Sequence, residues 1–431
     1  MRTGALLAGA AMAAGGQTSP NQSAPPLTLT LTDALQRARK INPDYHAAET
    51  EFGLAHEDKV QSRAGLLPSI TSTTAFLYTQ GNGTSSGRFI ANNGVHEYIA
   101  QGNAHEELSL QNVADFRRSQ FLEAAARARA EIAARGLVVT VVQAYYGLVA
   151  SERKYGTEQR ASAEAQRFLT ISTQLEKGGE VAHSDVIKAQ IQFNQQQRDL
   201  EQAQLEMNRS RMELAVLVFP DFNQNFGVVD DLQTPEPLPA FAEVQAAAAN
   251  KNPELRAAVA ALQASRQEVT AAWNGFLPSL AVDYFYGIDA NQFATEQPDG
   301  VRNLGYFATA TLQLPIWNWG ANRSKLRQAS LRRTQAQVEL SATQRELLAK
   351  LHTLFEEAQT ARSQLESLRQ SAELAADSLR LTTLRYQAGE VSVLEVVDAQ
   401  NTLTSARNSF DDGQVRYRVA LANLQTLTGS L

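Results

Sequence analysis

One phrase occurs twice in this chain, and the repetition constrains the fold more than any other feature. KGGEVAHSDVIKAQ at 177–190 and QAGEVSVLEVVDAQ at 387–400 share six of fourteen residues. The match extends through residues that recur 210 positions later, namely Pro43, Pro68 and Gly179. The sequence therefore predicts two copies of one unit, repeat 1 over 27–219 and repeat 2 over 241–431, joined by a proline-rich linker at 220–240.

Each repeat shows a helix, two alternating strands, a very long helix, a turn and a last helix. The helical stretches are rich in Ala, Leu, Gln, Glu and Arg, which are good helix formers. Helices are predicted at 32–66, 115–176, 182–218, 241–276, 320–386 and 392–428. A run of about sixty residues gives about 90 Å of helix. Such a length needs lengthwise packing against neighbours, as in a coiled coil or a helical tube.

Four stretches alternate between two kinds of side chain and predict β-strands. They lie at 69–80, 97–110, 279–292 and 304–316. Each has the length of a membrane-spanning strand, and aromatic residues cluster near the ends. A half-buried antiparallel sheet is the alternative for any single stretch. Two hairpins in matching positions, beside helices that offer a sheet nothing to pack on, favour a membrane β-barrel.

Four strands cannot close a barrel by themselves. An open edge in lipid leaves backbone groups unpaired, at a cost of several kcal/mol each. Two chains would give eight strands, whose interior is filled by side chains, whereas three chains give twelve strands and room for a pore. A conduit therefore requires at least a trimer.

Composition and the N-terminus narrow the class of protein. With a net charge of −6, the sequence does not indicate the basic surface that binding to nucleic acid requires. Because the sequence contains no cysteine, we expect no disulfide, no thiolate metal site and no lipid anchor on an N-terminal cysteine. Residues 1–26 predict a signal peptide, cleaved near Ala13 or Ala14, and a polar spacer, although a disordered Ala-rich start is the alternative. No later run of eighteen apolar residues predicts a membrane helix, so an exported chain would be soluble or a β-barrel.

The order of these elements, given twice, resembles the TolC-like outer membrane efflux proteins. The likeness covers nearly all of 27–431. It is carried by LTLTDALQRARKINP at 29–43, VVQAYYGLVAS at 141–151, RYQAGEVSVLEVVDAQNTL at 385–403, LANLQTLTG at 421–429 and the strand entries GLLPS and GFLPS.

The resemblance implies an α+β membrane protein with an internal two-fold repeat. Three chains would form a 12-stranded β-barrel in the outer membrane, four strands each, continuous with a 12-helix periplasmic α-barrel. Such proteins are exit ducts without catalytic residues, cofactors or metals. Their partners are a periplasmic adaptor, also called a membrane fusion protein, and an inner-membrane pump of RND, ABC or MFS type. Outer membrane lipid is expected around the barrel, and no nucleic acid. The alternative is a periplasmic coiled-coil adaptor.

The resemblance also explains the repeated phrase as two helix–turn–helix tips at the inner end of the tunnel. Family adaptors dock on such tips. The expected turn and docking residues are Gly179, Glu180, Val181, Gly389, Glu390 and Val391. The glycines would permit the reversal, since glycine accepts positive φ.

Two acids of the second tip are candidates for a gate. Glu395 and Asp398 are three residues apart and share a helix face. The resemblance implies that three copies of each form acidic rings that select cations. A solvated helix face is the alternative. Asp185 and Lys188 occupy the matching positions of the first tip, where we expect them to neutralise each other.

The resemblance further implies a lock between the tips. Tyr386 would bind Asp185, while the arginine expected beside it is replaced by Val391 and its partner by Ser184. We expect a closed state held more weakly, or held by Arg385. A Tyr386→Phe variant should then conduct better.

Other motifs are set aside. His, Ser and Asp at 183–185 are adjacent in sequence, which excludes the geometry of a catalytic triad. The histidines lack metal-binding spacing. The glycine-rich stretch at 81–87 is expected to be an external loop.

Overall fold

The structure, a computed structural model, describes residues 27–78, 96–233 and 236–429. The expected signal peptide and the loop at 81–87 lie outside these residues. The first half of the chain contains β1 (Leu27–Leu29), α1 (Leu31–Ile41), α2 (Pro43–Ala64), β2 (Ser69–Tyr78), β3 (His96–Leu108), α3 (Leu110–Gly178) and α4 (His183–Val218). The second half contains β4 (Phe226–Val228), α5 (Phe241–Lys251), α6 (Pro253–Asn274), β5 (Ser279–Ala290), β6 (Leu304–Gln313), α7 (Ala321–Gln387) and α8 (Val393–Thr428).

The predictions of single helices at 32–66 and 241–276 were wrong, because each region forms two helices. The break falls at Asn42–Pro43 and again at Asn252–Pro253. The residue before a proline is driven out of the helical region, and both asparagines are extended, with ψ of 120° and 123°. Each asparagine side chain then caps the next helix, accepting a backbone hydrogen bond at 2.8 or 2.9 Å.

The four predicted strands form one antiparallel sheet in the order β2-β3-β5-β6. Its register gives the sheet two different faces. One face of β5 and β6 carries the cross-strand pairs Tyr286–Tyr306 and Leu280–Leu312. The opposite face of β3 and β5 carries polar contacts, including His105 Nδ1 to Asp283 Oδ1 at 2.8 Å. Strands β2 and β6 are the edges, and nearly all of their residues are exposed.

The helices continue the sheet as a wall. Helix α3 packs against α2, α4, α6 and α8, and α7 packs against α6 and α8. Helices α2 and α4 therefore lie on one side of the wall, and α7 lies on the other. With 69 residues in α3 and 67 in α7, each long helix extends about 100 Å.

A core in the middle of the long helices holds two short strands that the sequence did not predict. Strands β1 and β4 pair in parallel, although almost 200 residues separate them. The hydroxyl of Tyr145 accepts a hydrogen bond from the backbone N–H of Val229 at 3.0 Å. It also donates to a backbone carbonyl, and two carbonyl oxygens are within reach: that of Val229 at 2.8 Å and that of Leu29 at 3.1 Å. The buried tyrosine thereby fixes both strands on α3.

The linker is tied down next to this core. Arg153 of α3 forms ion pairs with Asp230 at 2.6 Å and with Asp411 of α8 at 3.0 Å. Burial raises the pKa of Asp411, and the Arg153 guanidinium opposes that shift. The linker then crosses α8, where the Tyr417 hydroxyl donates to the Glu236 carbonyl.

By length and composition alone, α3 contains one stretch that could cross a membrane, and the expectation that no helix does so stays a prediction. Core helices of soluble proteins pass the same test. The apolar middle of α3 is packed: Val141, Val142 and Leu148 are all buried in the core around Tyr145.

Candidate functional site at the helical tips

The two repeated phrases form tight turns of the same geometry. Gly179 has φ of +80° and Gly389 has φ of +74°, in the left-handed region that favours glycine. After each glycine the next backbone N–H folds back onto the preceding helix. Glu180 donates to the Leu175 carbonyl, and Glu390 to the Arg385 carbonyl, each at 2.9 Å. These bonds satisfy carbonyls that a helix end would leave open.

The first tip, which joins α3 to α4, has paired charges. Lys188 Nζ lies 3.3 Å from Asp185 Oδ1, which is the ion pair expected from the sequence. A second contact, which the sequence did not suggest, joins His183 Nδ1 to Glu176 Oε1 at 2.6 Å across the turn. The two acids that flank the turn therefore have basic partners.

The second tip, which joins α7 to α8, keeps two acids without a cation. Arg385 Nε pairs with Glu390 Oε2 at 3.3 Å across the turn. Glu395 accepts a backbone hydrogen bond from Ser392 at 3.3 Å, as a carboxylate in the first turn of a helix does. Glu395 and Asp398 are both exposed. Among the described residues, no basic side chain forms an ion pair with either carboxylate.

A small apolar core holds the tips together. It combines Phe168 of α3 with Tyr386, Val393 and Val396 of the second hairpin, all with 2% exposure or less. Val181 and Val391 of the two turns pack against this core. The turn residues therefore lie on an apolar core that both hairpins share.

Tyr386 is a buried member of this core. Its hydroxyl lies 3.2 Å from Ser172 Oγ, and its ring centroid is 5.0 Å from that of Phe168. Within one chain its hydroxyl is therefore bonded to Ser172 of α3, whereas Asp185 is bonded to Lys188. Sequence reasoning missed Ser172, whose only signal is a small polar residue in the apolar end of α3.

The remaining predicted residues are dispersed around the tips. Ser184 is exposed at the start of α4. Arg385, the expected substitute for the missing arginine, is engaged with Glu390 in its own turn. The structure thus brings Arg385 to Glu390 and Tyr386 to Ser172. In the parts of the chain that the structure describes, no group of three His, Asp or Glu side chains could hold a metal ion.

Sequence comparison gives this geometry a family. The model of the family described as outer membrane efflux protein matches residues 34–218 and 244–430. The chain belongs to the outer membrane efflux protein family. The resemblance inferred from the sequence is therefore confirmed, and so is the outer membrane location.

Individual members of the family align with this chain over most of their length. The outer membrane protein TolC of Escherichia coli is 21% identical over 418 residues, covering 93% of this chain and 82% of TolC. The alkaline protease secretion protein AprF of Pseudomonas aeruginosa is 23% identical, covering 94% and 85%. Among solved structures, the CmeC outer membrane channel of Campylobacter jejuni has a TM-score of 0.79 at 18% identity, covering 93% and 85%. The general fold of mixed helices and sheet is therefore that of these channels.

Proposed function

We propose that this protein is the outer membrane exit duct of a tripartite efflux or secretion system. It is a passive channel across the periplasm, without catalysis, gated at its helical tips. One observation carries the proposal: a four-stranded sheet with two open edges and two chemically different faces continues into helices about 100 Å long. Such an element is incomplete as a single chain and long enough to cross the periplasm.

The sheet supports a barrel made by several copies. Strands β2 and β6 expose unpaired backbone along an edge, which a neighbouring copy would pair. The face with Tyr284, Tyr306 and Leu312 suits lipid, and the face with His105 and Asp283 suits a water-filled interior. Three copies give twelve strands, the smallest assembly with room for a pore.

The sides of the helical wall support the same assembly. Exposed apolar side chains recur at multiples of seven residues on α4, and in two pairs seven residues apart on α7, as in the seam of a coiled coil. They are Ile191, Leu205 and Met212 on α4, and Leu331, Val338, Leu374 and Leu381 on α7. Packing α7 of one copy against α4 of the next would close a 12-helix tunnel in the periplasm.

The tips would form the gate at the far end. Three copies of Glu395 and Asp398 around the axis would make two acidic rings, because neither acid forms an ion pair with a basic side chain in the described part of its own chain. The paired Asp185 and Lys188 leave no such ring on the first tip. Crowded like charges are relieved by cations, so the entrance would select them.

Partners follow from this role. A periplasmic adaptor would dock on the two turns, Gly179–Val181 and Gly389–Val391, and join the duct to an inner-membrane pump of RND, ABC or MFS type. The names of relatives support a place in such systems, because AprF is described as a secretion protein. Outer membrane lipid would surround the barrel.

Single-channel recording in a planar bilayer tests the duct and the gate together. The Glu395→Gln, Asp398→Gln double variant should lose cation selectivity and resist block by a multivalent cation that closes the wild type. A matched control is Glu339→Gln, Glu346→Gln, which removes two exposed carboxylates of α7 far from the tip. We expect this control to be blocked like the wild type.

The outcomes separate the two parts of the proposal. Equal block in all three proteins would keep the duct and move the gate elsewhere. A folded protein that forms no pore would contradict the duct and favour the periplasmic coiled-coil adaptor. Membership of an outer membrane family argues against that alternative.

A further inference from the structure

A cavity between α3, α8 and α7 borders the apolar core of the tips, with which its lining shares Leu379 and Leu403. Its volume is about 280 Å³, room for about nine water molecules at ~30 Å³ each. Arg160 of α3 and Arg407, Gln400 and Thr404 of α8 contribute to its lining. Arg160 also borders a larger neighbouring cavity of about 820 Å³ below the linker. Arg160 is thus a lining residue of both cavities.

Among the described residues, neither Arg160 nor Arg407 has a carboxylate as an ion-pair partner. Arg160 donates only to neighbours in its own helix, the Gly156 carbonyl at 3.0 Å and Thr157 Oγ1 at 3.3 Å. Arg407 forms no side-chain hydrogen bond or ion pair with the described residues. A third arginine in the lining, Arg167, already faces Glu164 at 3.6 Å. The cavity therefore holds two positive charges that no acid of the lining pairs with.

The crowding of these charges affects their ionisation. Burial lowers the pKa of Arg407, and the nearby charge of Arg160 lowers it further, while Asp411 opposes the shift. Two cations are thus held close together in a partly dehydrated place. An anion between them would relieve their repulsion and restore the hydrogen bonds that guanidinium groups make with carboxylates.

Gln400 provides a second and independent signal. Its side chain is only 6% exposed, and neither its Nε2 nor its Oε1 atom has a hydrogen-bond partner. A buried amide without partners is unfavourable, because it has lost its hydrogen bonds to water and has formed none with the protein. A turn of the amide toward the cavity would let a ligand satisfy it. Because both amide atoms are unpaired, the complementary ligand needs an acceptor and a donor.

We propose that this cavity binds a small hydroxycarboxylate. Its carboxylate would lie between Arg160 and Arg407, and its hydroxyl would donate to the amide oxygen of Gln400. The amide N–H would donate to a carboxylate oxygen, and the Thr404 hydroxyl can do the same. A volume of about 280 Å³ suits a molecule of the size of malate. Binding would join α3 to α8 at residues other than the turns and the acidic rings, so it goes beyond the proposed function.

Calorimetric titration of the full-length protein in detergent tests the proposal, with L-malate and succinate as probes. The two differ by one hydroxyl, so malate should bind about fivefold more tightly than succinate. Arg407→Gln should weaken malate binding by about tenfold or more. The control Arg369→Gln removes a guanidinium that borders the larger cavity and pairs with Glu366 and Glu373. It should change affinity less than about twofold.

Gln400→Met isolates the role of the amide. This variant should lose the preference for malate over succinate, while its melting temperature without ligand should stay the same or rise. The proposal is overturned if malate shows no saturable binding, or if malate, succinate and sulfate bind equally well. It is also overturned if Arg369→Gln weakens binding as much as Arg407→Gln, since the effect would then be general charge. None of these results depends on channel conductance.

Discussion

The hydrogen bond between Tyr386 and Ser172 predicts how the proposed gate is held. It joins α7 to α3, and thus one helical hairpin to the other, where both side chains are buried. Tyr386→Phe removes the bond and keeps the ring packed against Phe168. A hydrogen bond of this kind contributes about 0.5–1.5 kcal/mol net, so the open-to-closed ratio should rise roughly 2- to 10-fold.

Ser172→Ala provides the matched control, because it removes the same bond from the other side. Single-channel open probability in planar bilayers should rise by a similar factor in both variants. The double variant should open no more than either single variant, because the two residues act through one contact. A rise in Tyr386→Phe with no change in Ser172→Ala would refute this reasoning. If Asp185→Asn then reproduced the rise, the tyrosine would be bound to the acid of a neighbouring tip.

Three further predictions concern stability. Gly179→Ala should destabilise the protein by about 1–2 kcal/mol, because φ is +80°, while Gly136→Ala within α3 should be neutral or stabilising in the same thermal melt. Arg153→Gln should lower the free energy of unfolding by about 1–3 kcal/mol in chemical denaturation, because two carboxylates lose their partner. The control Arg209→Gln, which breaks an exposed ion pair, should lower it by less than about 0.5 kcal/mol. Burial raises the pKa of Tyr145 to about 12, so stability should fall as pH rises from about 10 through 12. A Tyr145→Phe variant that shows the same fall would exclude this tyrosine as its source.

The strands and long helices could be predicted because their signals are local. Alternation placed β5 at 279–292, and the strand runs from Ser279 to Ala290. The two three-residue strands could not be predicted in this way. Leu27–Leu29 and Phe226–Val228 pair with each other only because the fold brings the start of the first repeat next to the linker that follows it. Nothing in either tripeptide identifies its partner.

The breaks between helices have a clear signal in the sequence, to which the prediction of single helices gave too little weight. Asn42–Pro43 and Asn252–Pro253 contain both a helix cap and a residue that disfavours the helix before it. At the tips, the sequence could suggest the turn glycines and the pairing of Asp185 with Lys188, since both depend on neighbours in the chain. The partner of Tyr386 depends on which helix packs against α7, so only the structure could identify it.

In the proposed barrel, the open edges of the sheet would affect how the protein is made. A lone chain that entered the bilayer would expose the backbone of β2 and β6 to hydrocarbon, and that penalty disappears only when neighbouring copies pair with both edges. Insertion and association would then be a single concerted event. The rate of biogenesis would rise steeply with the concentration of unassembled chains. When few chains are synthesised, each would stay unassembled for longer, and proteases would degrade the unassembled chains.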